Sequence, residues 1–145
     1  MPLLINRTVA ENNWLTVDKP TELPAGNILV PLEDYLEATE TFNAHSGKVA
    51  VEVTPDDEIA PLLAEPNRFE LIAIHFPNFA EGRGFSFARL LRRAGYTGQL
   101  RATGYVTRDR LGYMQRCGFD AFDIPDEHYQ NNDVQAFDEI TVHYQ

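Results

Sequence analysis

The sequence has 145 residues, of which 43% are apolar, and its 22 acidic and 12 basic residues give a formal net charge of −10. A chain of this length and composition can bury one sizeable core, so we expect a single globular domain rather than two. The acidic total argues against general nucleic-acid binding, which needs a basic surface to neutralise phosphates and release their counterions.

Neither a membrane span nor a disulfide is indicated by the sequence. Its longest apolar runs, such as residues 71–74, are far shorter than the roughly 20 residues that a spanning helix needs. Residues 1–5 do not resemble the apolar region of a signal peptide. A single cysteine, Cys117, excludes an internal disulfide and leaves no Cys-x-x-Cys pair for iron–sulfur or zinc. We therefore expect a cytoplasmic protein.

The first half of the chain is predicted to contain strands at residues 3–6, 14–17, 28–30 and 48–53 and helices after residues 32 and 55. The first two strands would form a short hairpin through polar residues 7–13, within an N-terminal extension over residues 1–26. The fourth strand alternates imperfectly, as expected for a strand that is covered on both faces.

The second half is predicted to contain strands at residues 71–76, 99–106 and 119–124 and helices at 85–94 and 107–117. Gly95 and Gly118 would end the two helices in the C′ position, and Thr107 would cap the second helix. The middle strand has one apolar and one polar face. Arg101, on the polar face, must then reach water, an acid or a ligand.

Strands that alternate with helices of about ten residues predict right-handed crossovers and a parallel sheet. We expect a single α/β domain with roughly five mostly parallel strands, helices on both faces and the small N-terminal hairpin. Its core would span residues 27–125, followed by an acidic C-terminal segment at 126–145. The alternative is a half-barrel-like βα repeat, because the polar face of residues 99–105 would suit a solvated concave side.

Basic residues are concentrated in one part of the chain. Residues 83–116 contain eight arginines, no lysine and one acid, Asp109, whereas the remainder has four basic and 21 acidic residues. Guanidinium groups bind carboxylate, phosphate and sulfur oxyanions bidentately. Arg83, Arg108 and Arg110 are predicted near helix N-termini, where each opposes the macrodipole by ~0.3–1 kcal/mol, which indicates a compensating anion.

The loops after the strands at 71–76 and 99–106 should meet at one edge of the sheet, where helix N-termini bind ligands. The residues predicted to bind a ligand or partner are Glu81, Gly82, Arg83, Gly84, Ser86, Arg89, Arg101, Thr107, Arg108, Asp109 and Arg116. The alternative is structural: Arg83 pairs with Glu81, the glycines serve the turn and Ser86 caps the helix. Late in that helix, Arg89, Arg92 and Arg93 are expected on a solvated face.

His75 lies at the end of a strand, where acid–base groups are often found, and is the candidate for proton transfer. The alternative is a half-buried structural histidine. Cys117 is expected to be buried as a small apolar residue. The four histidines show no metal-ligand spacing, and Gly82-x-Gly84 continues to Phe87 where a dinucleotide fingerprint needs a third small residue. No metal or cofactor is predicted.

Three blocks of sequence carry a family pattern. The first is Phe76-Pro77-x-Phe79-x-Glu81-Gly82-Arg83-Gly84-Phe85-Ser86-x-Ala88-Arg89-Leu90-Leu91-Arg92. The others are Gly95-Tyr96-x-Gly98-x-Leu100-Arg101-Ala102-x-Gly104-x-Val106-x-Arg108-Asp109 and Met114-x-Arg116-Cys117-Gly118-Phe119-Asp120-Ala121-Phe122. Over about residues 28–125 the chain thus resembles the bacterial domain-of-unknown-function family 934. That family is usually encoded beside assimilatory sulfite reductase and labelled an oxidoreductase of sulfite reduction.

Three positions depart from the pattern of that family. Glu81 stands in place of Asp, Phe85 in place of Tyr, and Tyr105 in place of Asp. Glu81 keeps the charge, whereas the other two changes remove a hydroxyl and a carboxylate. A mechanism that needs either lost group would not operate in this chain.

The resemblance implies an accessory protein of assimilatory sulfite reduction. Its arginine-rich edge would bind an oxyanion or dock an acidic partner such as sulfite reductase or its electron donor. The alternative is a small enzyme, an oxidoreductase acting on a sulfur or phosphate oxyanion. In that case Arg83 and Arg108 would bind substrate, and His75 or Asp109 would move protons. Since no cofactor motif is present, we favour the accessory role.

Overall fold

A computed structural model of the protein describes residues 3–5, 8–10, 12, 14–17, 25–78 and 82–124. The strands are β1 (Leu3–Ile5), β2 (Thr8–Ala10), β3 (Leu15–Thr16), β4 (Ile28–Pro31), β5 (Val49–Val53), β6 (Leu71–Phe76), β7 (Gln99–Gly104) and β8 (Ala121–Asp123). The helices are α1 (Leu32–Glu37), α2 (Thr39–Asn43), α3 (Ala60–Ala64), α4 (Arg83–Arg93) and α5 (Leu111–Cys117), with 3₁₀ turns at Pro66–Arg68 and Arg108–Arg110.

In the described part of the chain the strands form one sheet of eight, in the order β2-β1-β8-β7-β6-β5-β4-β3. From β3 to β8 each strand is parallel to the next strand along the chain. At the other end of the sheet, β1 runs antiparallel to β8, and β2 antiparallel to β1. When parallel strands follow one another in chain order through right-handed crossovers, the connecting helices all lie on one face.

The buried side chains agree with this one-sided arrangement. All buried apolar residues of the described helices belong to one core cluster, which also contains one face of the sheet. In α4 the buried residues are Gly84, Ala88 and Leu91, and their spacing of four and three positions turns one stripe of the helix toward the sheet.

The sheet must curl, because its two edges are joined by a short piece of chain. One edge strand, β2, ends at Ala10, and the other, β3, begins at Leu15. The five residue steps between these two residues can span at most ~17 Å. Eight flat strands spaced ~4.8 Å apart would place the edges ~34 Å apart. Asn12 and Trp14, which lie between these two strands in the chain, accordingly contact the open, concave side of a half-barrel.

The concave side has an apolar base and a polar upper part. Leu29, Ala50, Leu71 and Ala73 form a small cluster there, with Trp14 packed against it. Because side chains alternate along a strand, the same face carries polar residues closer to the carboxyl ends of β5 to β8.

The predicted α/β class, the single domain and the mostly parallel sheet are confirmed, in the half-barrel-like form. The prediction of helices on both faces was wrong. The parallel strands follow one another in chain order across the sheet, so the connecting helices lie on one face. Five strands was too few, since residues 3–5, 8–10 and 15–16 all join the sheet. The hairpin partner of β1 is β2 rather than residues 14–17, which lie at the opposite edge. The C-terminal segment at 126–145 lies outside the described residues.

Candidate functional site

Polar side chains gather on the concave side of the sheet, at the carboxyl end of the parallel strands. They line a cavity of about 290 Å³. The lining residues are Asn12, Thr16, Leu29, Glu52, His75, Arg101, Thr103, Gly104 and Asp123. Four neighbouring strands, β5 to β8, thus each contribute at least one ionisable or hydroxyl group to one cavity. In parallel α/β proteins this end of the sheet is where ligands bind.

Three of these residues form a hydrogen-bonded relay, namely Glu52, Thr103 and His75. The Thr103 hydroxyl lies 3.0 Å from Glu52 Oε2 and 3.3 Å from His75 Nδ1. An ionised carboxylate only accepts hydrogen bonds, so the single hydroxyl proton is donated to Glu52. The hydroxyl oxygen then accepts from Nδ1–H of His75. This places the imidazole proton on Nδ1 and leaves Nε2 as the basic nitrogen.

Gly104 gives the His75 ring its space. Its φ of +81° is in the left-handed region, which residues other than glycine rarely adopt. A Cβ at this position would collide with the carbonyl oxygen of Phe76 and lie 2.6 Å from His75 Cε1. Glu52, Thr103 and Gly104 line this cavity but were not among the site residues predicted from the sequence. The glycine at the end of a strand was the available signal.

Arg101 is buried inside the curled sheet, where its guanidinium joins Gln99 of β7 to Asn12. Its side chain is only 2% exposed, and it donates from Nε to Gln99 Oε1 and from Nη1 to Asn12 Oδ1, each over 3.0 Å. Burial lowers the pKa of Arg101, and the nearby carboxylates of Asp123 and Asp120 oppose that shift. Arg101 was predicted to reach water, an acid or a ligand, whereas these two hydrogen bonds go to the side-chain amides of Gln99 and Asn12. Its place is in the lining of the cavity and not on the arginine-rich edge.

The two arginine-rich loops do meet, as expected from their positions after β6 and β7. The Arg110 guanidinium lies 5.6 Å from the centre of the Phe85 ring at the start of α4 and 6.0 Å from that of Tyr105. One Arg110 nitrogen, Nη1, is buried without a hydrogen-bond partner among the described residues. Arg83 begins α4 and lies 3.6 Å from Asp56 in an exposed ion pair.

The other residues predicted at this edge differ in their contacts and in their exposure to solvent. Arg89 donates to the Tyr113 hydroxyl over 2.7 Å, and the Arg116 guanidinium lies 5.8 Å from the centre of the same ring. Thr107 donates to Asp109 over 2.6 Å instead of capping α5, whose N-cap is Arg110. Gly82 and Ser86 are exposed, Glu81 lies outside the described residues, and Arg108 belongs to the 3₁₀ turn.

Gly84, which was predicted to bind a ligand or partner, is a packing residue in the structure. It is buried in α4, and a Cβ at this position would lie 2.6 Å from Phe76 Cε1 and 3.1 Å from Ile74 Cγ2. The absence of a side chain therefore lets α4 approach β6 closely.

Arg92 is also structural, whereas a solvated position was expected. It donates from Nε to the Gly118 carbonyl over 2.9 Å, and from Nη1 to the carbonyls of Tyr96 and Gly98 over 3.0 and 2.8 Å. A single guanidinium thus holds the turns before β7 and β8. Lysine could not reproduce this fork of donors.

The described part of the chain contains neither a metal-binding cluster nor a membrane-spanning helix. No group of three or more His, Cys, Asp or Glu side chains there could hold a metal ion. None of the described helices combines the length and hydropathy that a membrane crossing requires. Cys117 is buried, as predicted for a small apolar residue.

A family described as a bacterial protein of unknown function, DUF934, has a profile that matches residues 50–145. No curated protein and no solved structure matches the chain. The matched range begins within β5, so it includes all three relay residues and Gly104. Asn12 lies before it.

Proposed function

We propose that this chain, which belongs to the bacterial family of unknown function DUF934, binds a small molecule inside the curled sheet and exchanges a proton with it through His75. The relay of Glu52, Thr103 and His75 is the observation that supports this proposal most directly. It lines a cavity at the end of the parallel strands where α/β enzymes place their catalytic groups.

Each relay residue has a distinct part in the proposed chemistry. Glu52 holds the Thr103 hydroxyl, the hydroxyl holds the imidazole with its proton on Nδ1, and Nε2 acts as the general base. When Nε2 takes a proton from the ligand, the charge of the imidazolium is stabilised by the carboxylate beyond the hydroxyl. The proton can then return from Nε2 to the product. This role corresponds to the small-enzyme alternative of the sequence analysis.

A ligand screen with cavity variants tests the proposal. Small polar molecules, including sulfite, sulfate and phosphate, would be screened by saturation-transfer NMR against the wild-type protein. We expect bound molecules to lose at least about tenfold in affinity in His75→Asn. They should keep their affinity in Arg93→Gln, which changes an exposed residue of α4. Binding that is equal in all three proteins would contradict the proposal.

A second candidate function is docking of a partner protein on the outer surface. It corresponds to the role in sulfite assimilation that the family resemblance implies. Three exposed arginines of α4 and α5 define an arginine edge, which consists of Arg83, Arg89 and Arg116. Leu90 and Tyr113 lie on the same two helices and are both 39% exposed. Arginine and tyrosine are enriched among the residues that dominate binding at protein interfaces. This edge could dock an acidic partner in sulfite assimilation, such as sulfite reductase or its electron donor.

Pull-down from sulfate-grown native cells tests the second candidate. We expect salt-sensitive recovery of a sulfite-reduction protein by the wild type and loss of that recovery in the double variant Arg83→Glu, Arg116→Glu. Lys48→Glu is the matched control, because Lys48 is exposed but lies at the start of β5, far along the chain from the arginine edge. Equal recovery by the double variant would remove the docking role.

A further inference from the structure

We infer that the concave cavity selects a ligand that presents a cationic nitrogen, such as an amidinium or ammonium group, and disfavours oxyanions. This inference rests on the proposed function, because it names the class of ligand for the same cavity. It also differs from the expectation that an oxyanion is bound, which came from the arginine content of the chain.

The charged residues around the cavity favour a cationic ligand. The described lining residues include two carboxylates, Glu52 and Asp123, and one guanidinium, Arg101. Asp123 acts electrostatically on Arg101, so the charges of these two residues offset each other. The carboxylate of Glu52 is left with the neutral hydroxyl of Thr103 as its hydrogen-bond donor within the described part of the chain. The described lining of the cavity therefore has a net negative charge when His75 is neutral.

The hydrogen bonds that Arg101 already makes disfavour an anionic ligand. Its Nε and Nη1 already donate to Gln99 and Asn12, and its side chain is almost fully buried. An oxyanion in the cavity would be left with the remaining guanidinium donors of this buried side chain, and it would lie near two carboxylates. A cationic group would instead pair with the half-buried Glu52, whose charge a neutral hydroxyl compensates only in part.

The size of the cavity limits the ligand to a small group. A volume of about 290 Å³ is at the lower end of the range for small-molecule sites, which is about 300–1,000 Å³. The protonated nitrogen of such a group would lie among Glu52 and the relay, where His75 Nε2 could accept one of its protons. The exposed arginine edge is separate from this chemistry, so any oxyanion that binds there leaves the inference unaffected.

Three probes of one shape and different charge test the inference: acetamidinium, acetamide and acetate. Their affinities would be measured from the shifts of the His75 imidazole resonances, because these report on the cavity rather than on surface carboxylates. We expect acetamidinium to bind at least about tenfold more tightly than acetate. Glu52→Gln, which keeps an acceptor for Thr103, should remove most of this preference. Arg93→Gln should retain it.

The possible outcomes separate the inference from the proposed function. If acetate or sulfate shifts the His75 resonances at lower concentration than acetamidinium does, the charge inference is overturned while binding at this site stands. If none of the probes shifts them, and the screen above also finds no ligand that depends on His75, both are overturned. Because the wild-type comparison alone decides the preference, the test holds even if Glu52→Gln fails to fold.

Discussion

Arg101 and Asn12 lie 89 positions apart in the chain, and the Arg101 Nη1 donates to Asn12 Oδ1 over 3.0 Å inside the curled sheet. Asn12 belongs to the segment that runs from one edge of the sheet to the other. Arg101 belongs to β7, in the interior of the sheet. The hydrogen bond therefore fastens the crossing segment to the sheet and closes one side of the cavity.

Replacement of Asn12 by alanine should destabilise the protein although Asn12 is an exposed residue. A buried donor left without an acceptor costs ~1–3 kcal/mol, and this would appear as a lower midpoint of urea unfolding. Lys48→Ala is the control, since its ion pair with Glu70 is exposed and such pairs contribute at most ~1 kcal/mol. Equal losses in the two variants would mean that the Arg101 contact does not hold the segment.

Gly104→Ala should be more damaging than Gly95→Ala. Both glycines have positive φ, +81° and +102°, so each alanine carries a backbone cost of ~1–2 kcal/mol. A Cβ at residue 95 meets no atom within 4 Å, whereas at residue 104 it collides with Phe76 and His75, which adds the ~1–3 kcal/mol of overpacking. Thermal unfolding gives the difference, and the His75 resonances should shift only in Gly104→Ala. Similar losses would argue against contact between Gly104 and the ring.

Gly84→Ala and Gly82→Ala compare a closely packed glycine with an open one at the start of α4. The first should cost ~1–3 kcal/mol, because the new methyl group would overlap the Phe76 ring. The second should cost less than ~1 kcal/mol, since it changes an N-cap position with open space around it. Chemical denaturation would measure both. A larger loss at Gly82 would contradict the packing role that the structure assigns to Gly84.

Arg92→Lys and Arg93→Lys are neighbouring substitutions with different expected effects. Arg92 donates to three carbonyls of two turns, and lysine cannot reach all of them. The loss of two or more such bonds should cost roughly 2 kcal/mol in the free energy of unfolding. Arg93 is exposed, so its substitution should change that free energy by no more than ~0.5 kcal/mol. If both variants unfold at the same denaturant concentration, the Arg92 fork does not contribute to stability.

Asp120 should make stability depend on pH in the acid range. Burial raises the pKa of its carboxyl above the ordinary 3.8, while the Leu100 N–H and Arg92 oppose the shift. A raised pKa in the folded state means that the native protein holds this proton more tightly. The stability it contributes is therefore complete below pH 3.8 and is lost as pH rises through the raised pKa.

The variant Asp120→Asn isolates this contribution, because its amide oxygen can still accept from Leu100 N–H. We expect the free energy of unfolding of the wild type, minus that of the variant, to decrease as pH rises from below 3.8. Urea unfolding at a series of acid pH values would measure the difference. A difference that grows with pH would show that the pairing with Arg92 outweighs burial.

Periodicity along the chain determined much of the local structure. A continuous apolar run indicated β6 and alternating apolar residues indicated β7. The spacing of Gly84, Ala88 and Leu91 corresponds to the helix face that α4 buries. The position of His75 at a strand end and the polar face of β7 also pointed toward the concave side. These features depend on neighbouring residues, so a sequence pattern contains them.

The tertiary structure alone decided the site. Glu52, Thr103 and His75 come from three strands that pair side by side, and Thr103 is 51 positions from Glu52 and 28 from His75. No periodic pattern specifies which strand pairs with which, or that the sheet curls until a segment near Asn12 can cross it. The same holds for Arg92, because the carbonyls that engage it come from turns brought together by folding. By itself the sequence determined which residues could carry the chemistry, and strand order and curvature decided which of them share a cavity.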